Sequence, residues 1–264
     1  MIKNVLFAIK LGCLFGGIFV AEGACEDRSP LLFISFGESN SGGYAENMDA
    51  TLVELQPRME LQFWNVRTTL FEPLEVGVNN NLDHFRLEPK THGWELGLAN
   101  QVEAGKFGLR LIYFVQTGQG GSVVSQWSVD GLYWPKFLDR TRKAREAIKP
   151  DPDIVVWVTL GINDAIAGTP PKYYESAMIE ILQRLQSELP RATICIAKLP
   201  PLNENYNEYS RRVDSISQQL ENVTAVEVNG LDMRDDNHWS YEGMKALSTR
   251  MIEATIANNQ KDTR

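Results

Sequence analysis

The chain has 264 residues, 43% hydrophobic and 23% charged, the proportions of a folded globular protein, which excludes disordered, collagen-like and coiled-coil readings. With 26 Lys+Arg against 34 Asp+Glu the formal charge is -8, so no global positive field gathers phosphates and nucleic acid is not an expected partner. Cys13, Cys25 and Cys195 contain no C-x-x-C pair, which argues against a disulfide framework and a structural zinc site.

The first element in chain order reads as an export signal. Lys3 precedes an apolar stretch from Val5 to Ile9 that resumes after Lys10 and closes in Ala21-Glu22-Gly23-Ala24-Cys25. Ala21 and Gly23 are the small residues a signal peptidase requires, so residues 1–23 read as a signal peptide and the mature chain starts at Ala24, exported to the periplasm or the outside. A lipid anchor on Cys25 is the alternative, and Glu22 stands where its recognition sequence usually has Leu. The unbroken apolar run is shorter than the roughly 20 residues of a spanning helix, so no stable membrane insertion is expected after signal removal.

Residues 24–264 read as one domain. Short apolar runs at 31–36, 109–115, 153–159, 192–197 and 224–228 read as buried strands, and stretches at 95–104, 134–148, 172–189, 206–220 and 241–257 read as helices. Pro170-Pro171 opens the third of these helices, and Ser240 is a candidate N-cap for the last, with Gly243 a weak point inside it. That alternation predicts an α/β fold, a three-layer α/β/α sandwich around a central, mostly parallel five-stranded sheet. Residues 42–90 break the alternation and read as a long substrate-facing loop with an extended segment at 61–68. Cys195 reads as core, and Arg140, Arg142, Lys143 and Arg145 as a solvated helix face.

Chemistry-bearing residues cluster where strands end. The first strand empties into Gly37-Glu38-Ser39-Asn40, which would hold Ser39 on rigid scaffold above the sheet. Thr117-Gly118-Gln119-Gly120-Gly121-Ser122 follows the second strand and Gly161-Ile162-Asn163-Asp164 the third. A glycine N–H and the Asn163 amide aimed at one point can form an oxyanion hole for the charge that develops when a serine attacks an ester. Asp235-Asp236-Asn237-His238 precedes the last helix, and one short loop there can supply a general base and the carboxylate that orients it. His84 and His92 read as surface residues.

In this order, Ser39, Gly120, Asn163 and Asp235-x-x-His238 resemble the SGNH branch of the GDSL-like hydrolases over nearly the whole mature chain. The Gly37-Glu38-Ser39-Asn40 opening, the Gly120-Gly121-Ser122 turn with Gln126-Trp127 after it, and the late Asp-x-x-His are similar to the sialate O-acetylesterase and acetylxylan-esterase-like subgroup. Two positions depart from the pattern. Glu38 replaces the Asp of G-D-S or the Gln of G-Q-S, and Gly-Ile-Asn-Asp follows the broader family rather than the subgroup's Q-G-E.

The resemblance implies the flavodoxin-like SGNH hydrolase fold and a serine esterase acting through Ser39, His238 and Asp235 by way of an acyl-enzyme. Its spacing selects Asp235 over Asp236. The oxyanion hole would comprise the N–H groups of Ser39 and Gly120, with Gly121 the competitor, and the Asn163 side chain. No metal or organic cofactor is required. The expected partner is an acylated carbohydrate, most simply an O-acetyl sugar, or another small ester; Trp64, Trp127, Trp134 and Trp239 are candidate sugar-stacking faces, with core packing the reading for at least half of them. The same machinery serves lipid or thioester hydrolysis and polysaccharide O-acetyl transfer, and the fold also suits a non-catalytic glycan binder.

Overall fold

A computed structural model describes residues 29–80 and 91–261. The signal peptide read at 1–23, the anchoring alternative at Cys25, and His84 lie outside the described residues.

Strand β1 (Leu31–Gly37) is buried along its whole length and lies at the centre of the sheet. A two-residue β2 (Ala45–Glu46), β3 (Arg58–Asn65), β4 (Leu70–Leu74) and a two-residue β5 (Thr91–His92) follow, then β6 (Ile112–Gln116), β7 (Asp153–Thr159), β8 (Thr193–Ala197) and β9 (Val223–Val226). Among the described residues the main sheet has seven strands in the order β4-β3-β6-β1-β7-β8-β9, with β2 and β5 forming a separate antiparallel pair. All main-sheet pairings are parallel except β3 with β4.

The sheet therefore has seven strands and not the five expected from sequence. The extra pair comes from the region read as a long loop, where Leu61 and Phe63 turn inward and align with Ile112 and Phe114 of β6. Antiparallel β4 then covers that edge. The intervening Glu60 and Gln62 and the exposed Met59 and Leu70 dilute the apolar signal, as an edge position allows. Strand β6 starts three residues later than expected, because Leu109 sits 91% exposed beyond the Gly108 turn.

Alternation along the strands divides the core in two. Leu32, Ile34 and Phe36 of β1 with Ile154, Val156 and Val158 of β7 face α3 (Trp134–Glu146), α4 (Ile162–Ala167), α5 (Pro171–Glu188) and α6 (Glu204–Gln219). Leu31, Phe33, Val155 and Trp157 face α2 (Trp94–Glu103) and α7 (Tyr241–Lys261). Trp157 packs against Phe33 at 5.0 Å and Trp94 at 5.3 Å. Cys195 is free and buried in this second layer beside Thr255. Among the described residues no helix is long and apolar enough to cross a membrane.

The chain runs from β1 outward to β3, back to β6, then across β1 to β7, so the loops leaving β1, β6 and β7 diverge at one point above the carboxyl ends of the strands. Open α/β sheets form crevices at such a switch.

Ser240 caps α7 as expected, its Oγ accepting the Gly243 N–H at 3.1 Å. Gly243 is a requirement of packing, since a Cβ there would lie 2.0 Å from the Asp232 carbonyl oxygen. Gly243→Ala therefore has to displace the loop before α7, and we expect it to cost about 1–3 kcal/mol, measured as a lower urea midpoint with an unchanged denaturant slope.

Candidate active site

Four residues, Ser39–Gly42, form α1, one short turn directly after β1. Gly37 lies at φ +124°, and a Cβ on it would fall 1.9 Å from the Thr159 carbonyl oxygen, so this close approach of β1 to β7 admits only glycine. Beyond it the Glu38 N–H donates to that same carbonyl at 2.8 Å, and the Gly42 and Gly43 N–H groups close the turn on Glu38 and Ser39. Ser41 pins the underside, its Oγ 2.6 Å from Thr159 Oγ1 and accepting the Thr159 N–H at 3.1 Å. Ser39 is thus held by backbone on two strands, with its Oγ directed away from the sheet towards His238.

The Asp-x-x-His segment is a tight loop closed by an antiparallel bridge between Met233 and Trp239. Inside it, Asp235 Oδ1 accepts the N–H groups of Asn237 and His238, each at 2.8 Å. The His238 ring spans the gap to Ser39: Nδ1 lies 2.9 Å from both Asp235 oxygens and Nε2 lies 3.0 Å from Ser39 Oγ. Burial opposes charge on Asp235, but hydrogen bonds from the His238 ring and the two N–H groups outweigh it and hold the carboxyl below its ordinary range. An ionised Asp235 keeps the proton on Nδ1 and leaves Nε2 to accept. Asp236 points to solvent, so the loop presents Asp235 to His238.

The glycine turn after β6 runs against the Ser39 turn. The Gln119 N–H donates to the Gly37 carbonyl at 2.7 Å, and a Cβ on Gly118 would lie 2.4 Å from the Gly42 nitrogen. Gly120 is the next residue, partly exposed beside this contact, whereas Gly121 is exposed. From β7, α4 begins with Ile162 and Asn163 facing the buried Glu38 carboxyl, which accepts both their N–H groups at 2.9 Å and a bond from Asn163 Nδ2. Serine, histidine, aspartate, a glycine turn and an asparagine amide are therefore assembled at one end of the sheet. That arrangement can deprotonate a serine and hold the oxyanion of a tetrahedral adduct.

Other expectations are corrected. All six tryptophans are buried, at 4% exposure or less, so Trp64, Trp127, Trp134 and Trp239 are core side chains and offer no face to a sugar. Trp127 packs on Phe36, and Trp134 on Phe137. His92 is a buried residue with Nδ1 2.9 Å from Asn47 Oδ1. Arg140 is no part of a solvated face: it reaches inward and donates to the Gln116 carbonyl at 2.6 Å.

Two contributors were not singled out by sequence. Asn40, fully buried, donates to the Asn237 carbonyl at 2.8 Å and accepts the Trp239 N–H at 3.3 Å, which ties the Ser39 turn to the histidine loop. Tyr44 lies flat on His238, with ring centroids 4.5 Å apart and planes 10° from parallel. Its segment is held by the pairing of Ala45 with His92 and by Arg234, which donates to the Tyr44 carbonyl at 2.7 Å. Asn40 had a signal in its adjacency to Ser39, whereas nothing local marks Tyr44 as the partner of a histidine 194 positions away.

A family model described as carbohydrate esterase, sialic acid-specific acetylesterase, matches residues 30–257. No curated protein matches the chain. Similar solved structures include a protein from Arabidopsis thaliana, 18% identical with a TM-score of 0.71, the alignment covering 87% of this chain and 99% of that one. NanS is 15% identical at a TM-score of 0.63, covering 89% and 99%. A family two carbohydrate esterase from Cellvibrio japonicus is 16% identical at 0.53, covering 89% and 62%. At these identities the likeness is one of fold.

Two outcomes follow from these contacts. Asn40→Ala should lower kcat by roughly ten- to a hundredfold while the protein stays folded by circular dichroism, because the loop carrying His238 loses its tie to the nucleophile turn. Burial pushes His92 down to about 4, with Glu54 opposing that shift and Lys245 adding to it. The unfolded chain takes up this proton near pH ~6.5 and the folded chain does not, so His92 supports the fold fully above that pH and its contribution is lost as pH falls towards 4. His92→Asn, which keeps a donor towards Asn47, should show a smaller fall in melting temperature across that interval than the wild type.

Proposed function

Because this chain belongs to the carbohydrate esterase family of sialic acid-specific acetylesterases, we propose that it removes O-acetyl groups from carbohydrates as a serine esterase, through Ser39, His238 and Asp235. The observation that carries this reading is the continuous relay from Ser39 Oγ to His238 Nε2 at 3.0 Å and from His238 Nδ1 to Asp235 at 2.9 Å.

His238 takes the Ser39 proton as Oγ attacks the acetyl carbonyl, and Asp235 stabilises the imidazolium that forms. The negative oxygen of the tetrahedral adduct is held by the N–H groups of Ser39 and Gly120 and by the Asn163 side chain. His238 returns its proton to the departing sugar oxygen, leaving acetyl on Ser39. A water, deprotonated by the same imidazole, then releases acetate. These steps are served by side chains and backbone N–H groups alone. The substrate meets an open rim in which Asp235 is exposed and Tyr44 half-buried, and a carbohydrate carrying its acetyl at the periphery suits such a rim. Residues 24–264 are proposed to form one esterase unit, exported by the segment at 1–23.

Acetate release from p-nitrophenyl acetate, acetylated xylan and O-acetylated sialic acid by the chain from Ala24, beside its Ser39→Ala variant, is the direct test. The wild type should turn over at least one sugar ester, and the variant should fall by about a thousandfold or more. Equal rates in the two proteins would refute the serine mechanism, and acetyl appearing on an added sugar in place of free acetate would mark a transferase.

A further inference from the structure

Glu38 occupies the position directly before the nucleophile and is buried below the turn that carries it. Its Oε1 accepts the Ile162 N–H at 2.9 Å, and its Oε2 accepts the Asn163 N–H at 2.9 Å together with Asn163 Nδ2. A primary amide nitrogen has two N–H bonds. One of those on Asn163 is engaged by Glu38, which leaves the other to point away from the carboxyl. Asn163 is only partly buried, so without that engagement its side chain is free to rotate towards solvent.

We propose that Glu38 is a positioning residue: by gripping one N–H of the Asn163 amide and the first N–H groups of α4, it fixes the amide so that its second N–H faces the acyl oxygen on Ser39. The proposal rests on the esterase reading above and adds to it the residue that aims its side-chain oxyanion donor. Nucleophile and holder are neighbours on one turn, so Ser39 and the Asn163 amide are set relative to each other by a single rigid unit.

A carboxyl in this place has a consequence that an amide lacks. Burial pushes Glu38 up to about 8, the N–H groups of Asn163 and Ile162 pull it down, and Asp164 adds to the rise. The titratable groups facing it are Asp164 on α4, Tyr174 on α5 and Tyr206 on α6. Glu38 is therefore mostly neutral at neutral pH. Above about pH 8 it places a negative charge beneath a site that must stabilise another, and the reaction slows.

The test measures kcat and KM on p-nitrophenyl acetate from about pH 6 to 10 for the wild type, Glu38→Gln, Glu38→Ala, Asn163→Ala and the Glu38→Ala/Asn163→Ala pair, with Ser39→Ala as the blank. Glu38→Ala is expected to lose roughly ten- to a hundredfold in kcat with KM within about threefold of wild type, and the paired variant to be no slower than Asn163→Ala by more than about twofold. Glu38→Gln, whose amide oxygen still accepts from Asn163 Nδ2, should recover kcat to within about tenfold and should lack the wild-type decline above about pH 8. Wild-type kcat in folded Glu38→Ala, or a paired variant whose loss is the product of the two single losses, would overturn the inference.

A second readout is independent of turnover. The side-chain 15N–1H2 signals of Asn163, identified by their absence in Asn163→Ala, should shift with a midpoint near pH 8 in the wild type and stay constant in Glu38→Gln. Signals identical in wild type and Glu38→Ala would also overturn it. Wild-type turnover equal to the Ser39→Ala blank would strike at the esterase reading, while these amide signals would still decide the role of Glu38.

Discussion

The site depends on the contact between the ends of β1 and β7, where the Gly37 backbone lies against the Thr159 carbonyl with no space for a side chain. From that contact the Glu38 N–H bonds Thr159, the chain turns through Ser39, and Ser41 returns to bond the same strand. A serine on a flexible loop would sample many directions. Here its Cα is fixed by backbone hydrogen bonds to a central strand buried on both faces, so its hydroxyl has few orientations to lose on meeting substrate.

Around this anchor the other parts are brought in by packing. The first core layer presses α4 and α5 onto β7, and Tyr174 donates to the Leu160 carbonyl at 2.7 Å just before Gly161. The second layer brings α7 onto the opposite face, and the Gly243 approach draws the histidine loop close to the strand ends. Asn40 then joins the two halves across nearly two hundred residues of sequence. Ser39 and His238 therefore come from distant parts of the sequence and meet only when both faces of the sheet are covered.

The electrostatics divide in the same way. Asp235, at the rim, is held ionised by donors that outweigh its partial burial, which suits the role proposed for it beside an imidazolium. Glu38, below the turn, is pushed towards its neutral form by full burial and by Asp164. Two carboxyls on opposite sides of one serine thus meet opposite environments, one favouring charge where the proposed mechanism forms a cation and the other disfavouring it where that mechanism forms an anion.

The apolar runs of 153–159 and 192–197 sufficed to indicate buried parallel strands, because both faces of such a strand are covered and the signal is continuous. The gathering of Ser39, Asn163, Asp235 and His238 at one end of the sheet was legible too, since each stands where a strand or loop ends. The β3–β4 pair was not, because edge strands are free to carry polar and exposed residues and so blur the period. Nor were the burial of the tryptophans, the inward turn of Arg140, the stacking of Tyr44 on His238 or the grip of Glu38 on Asn163. Each of these depends on which distant surface folds against it. Local sequence determined the order of the elements and the chemistry at their ends; tertiary packing alone decided which side chains face one another, because contact distances are set by long-range burial that no local pattern encodes.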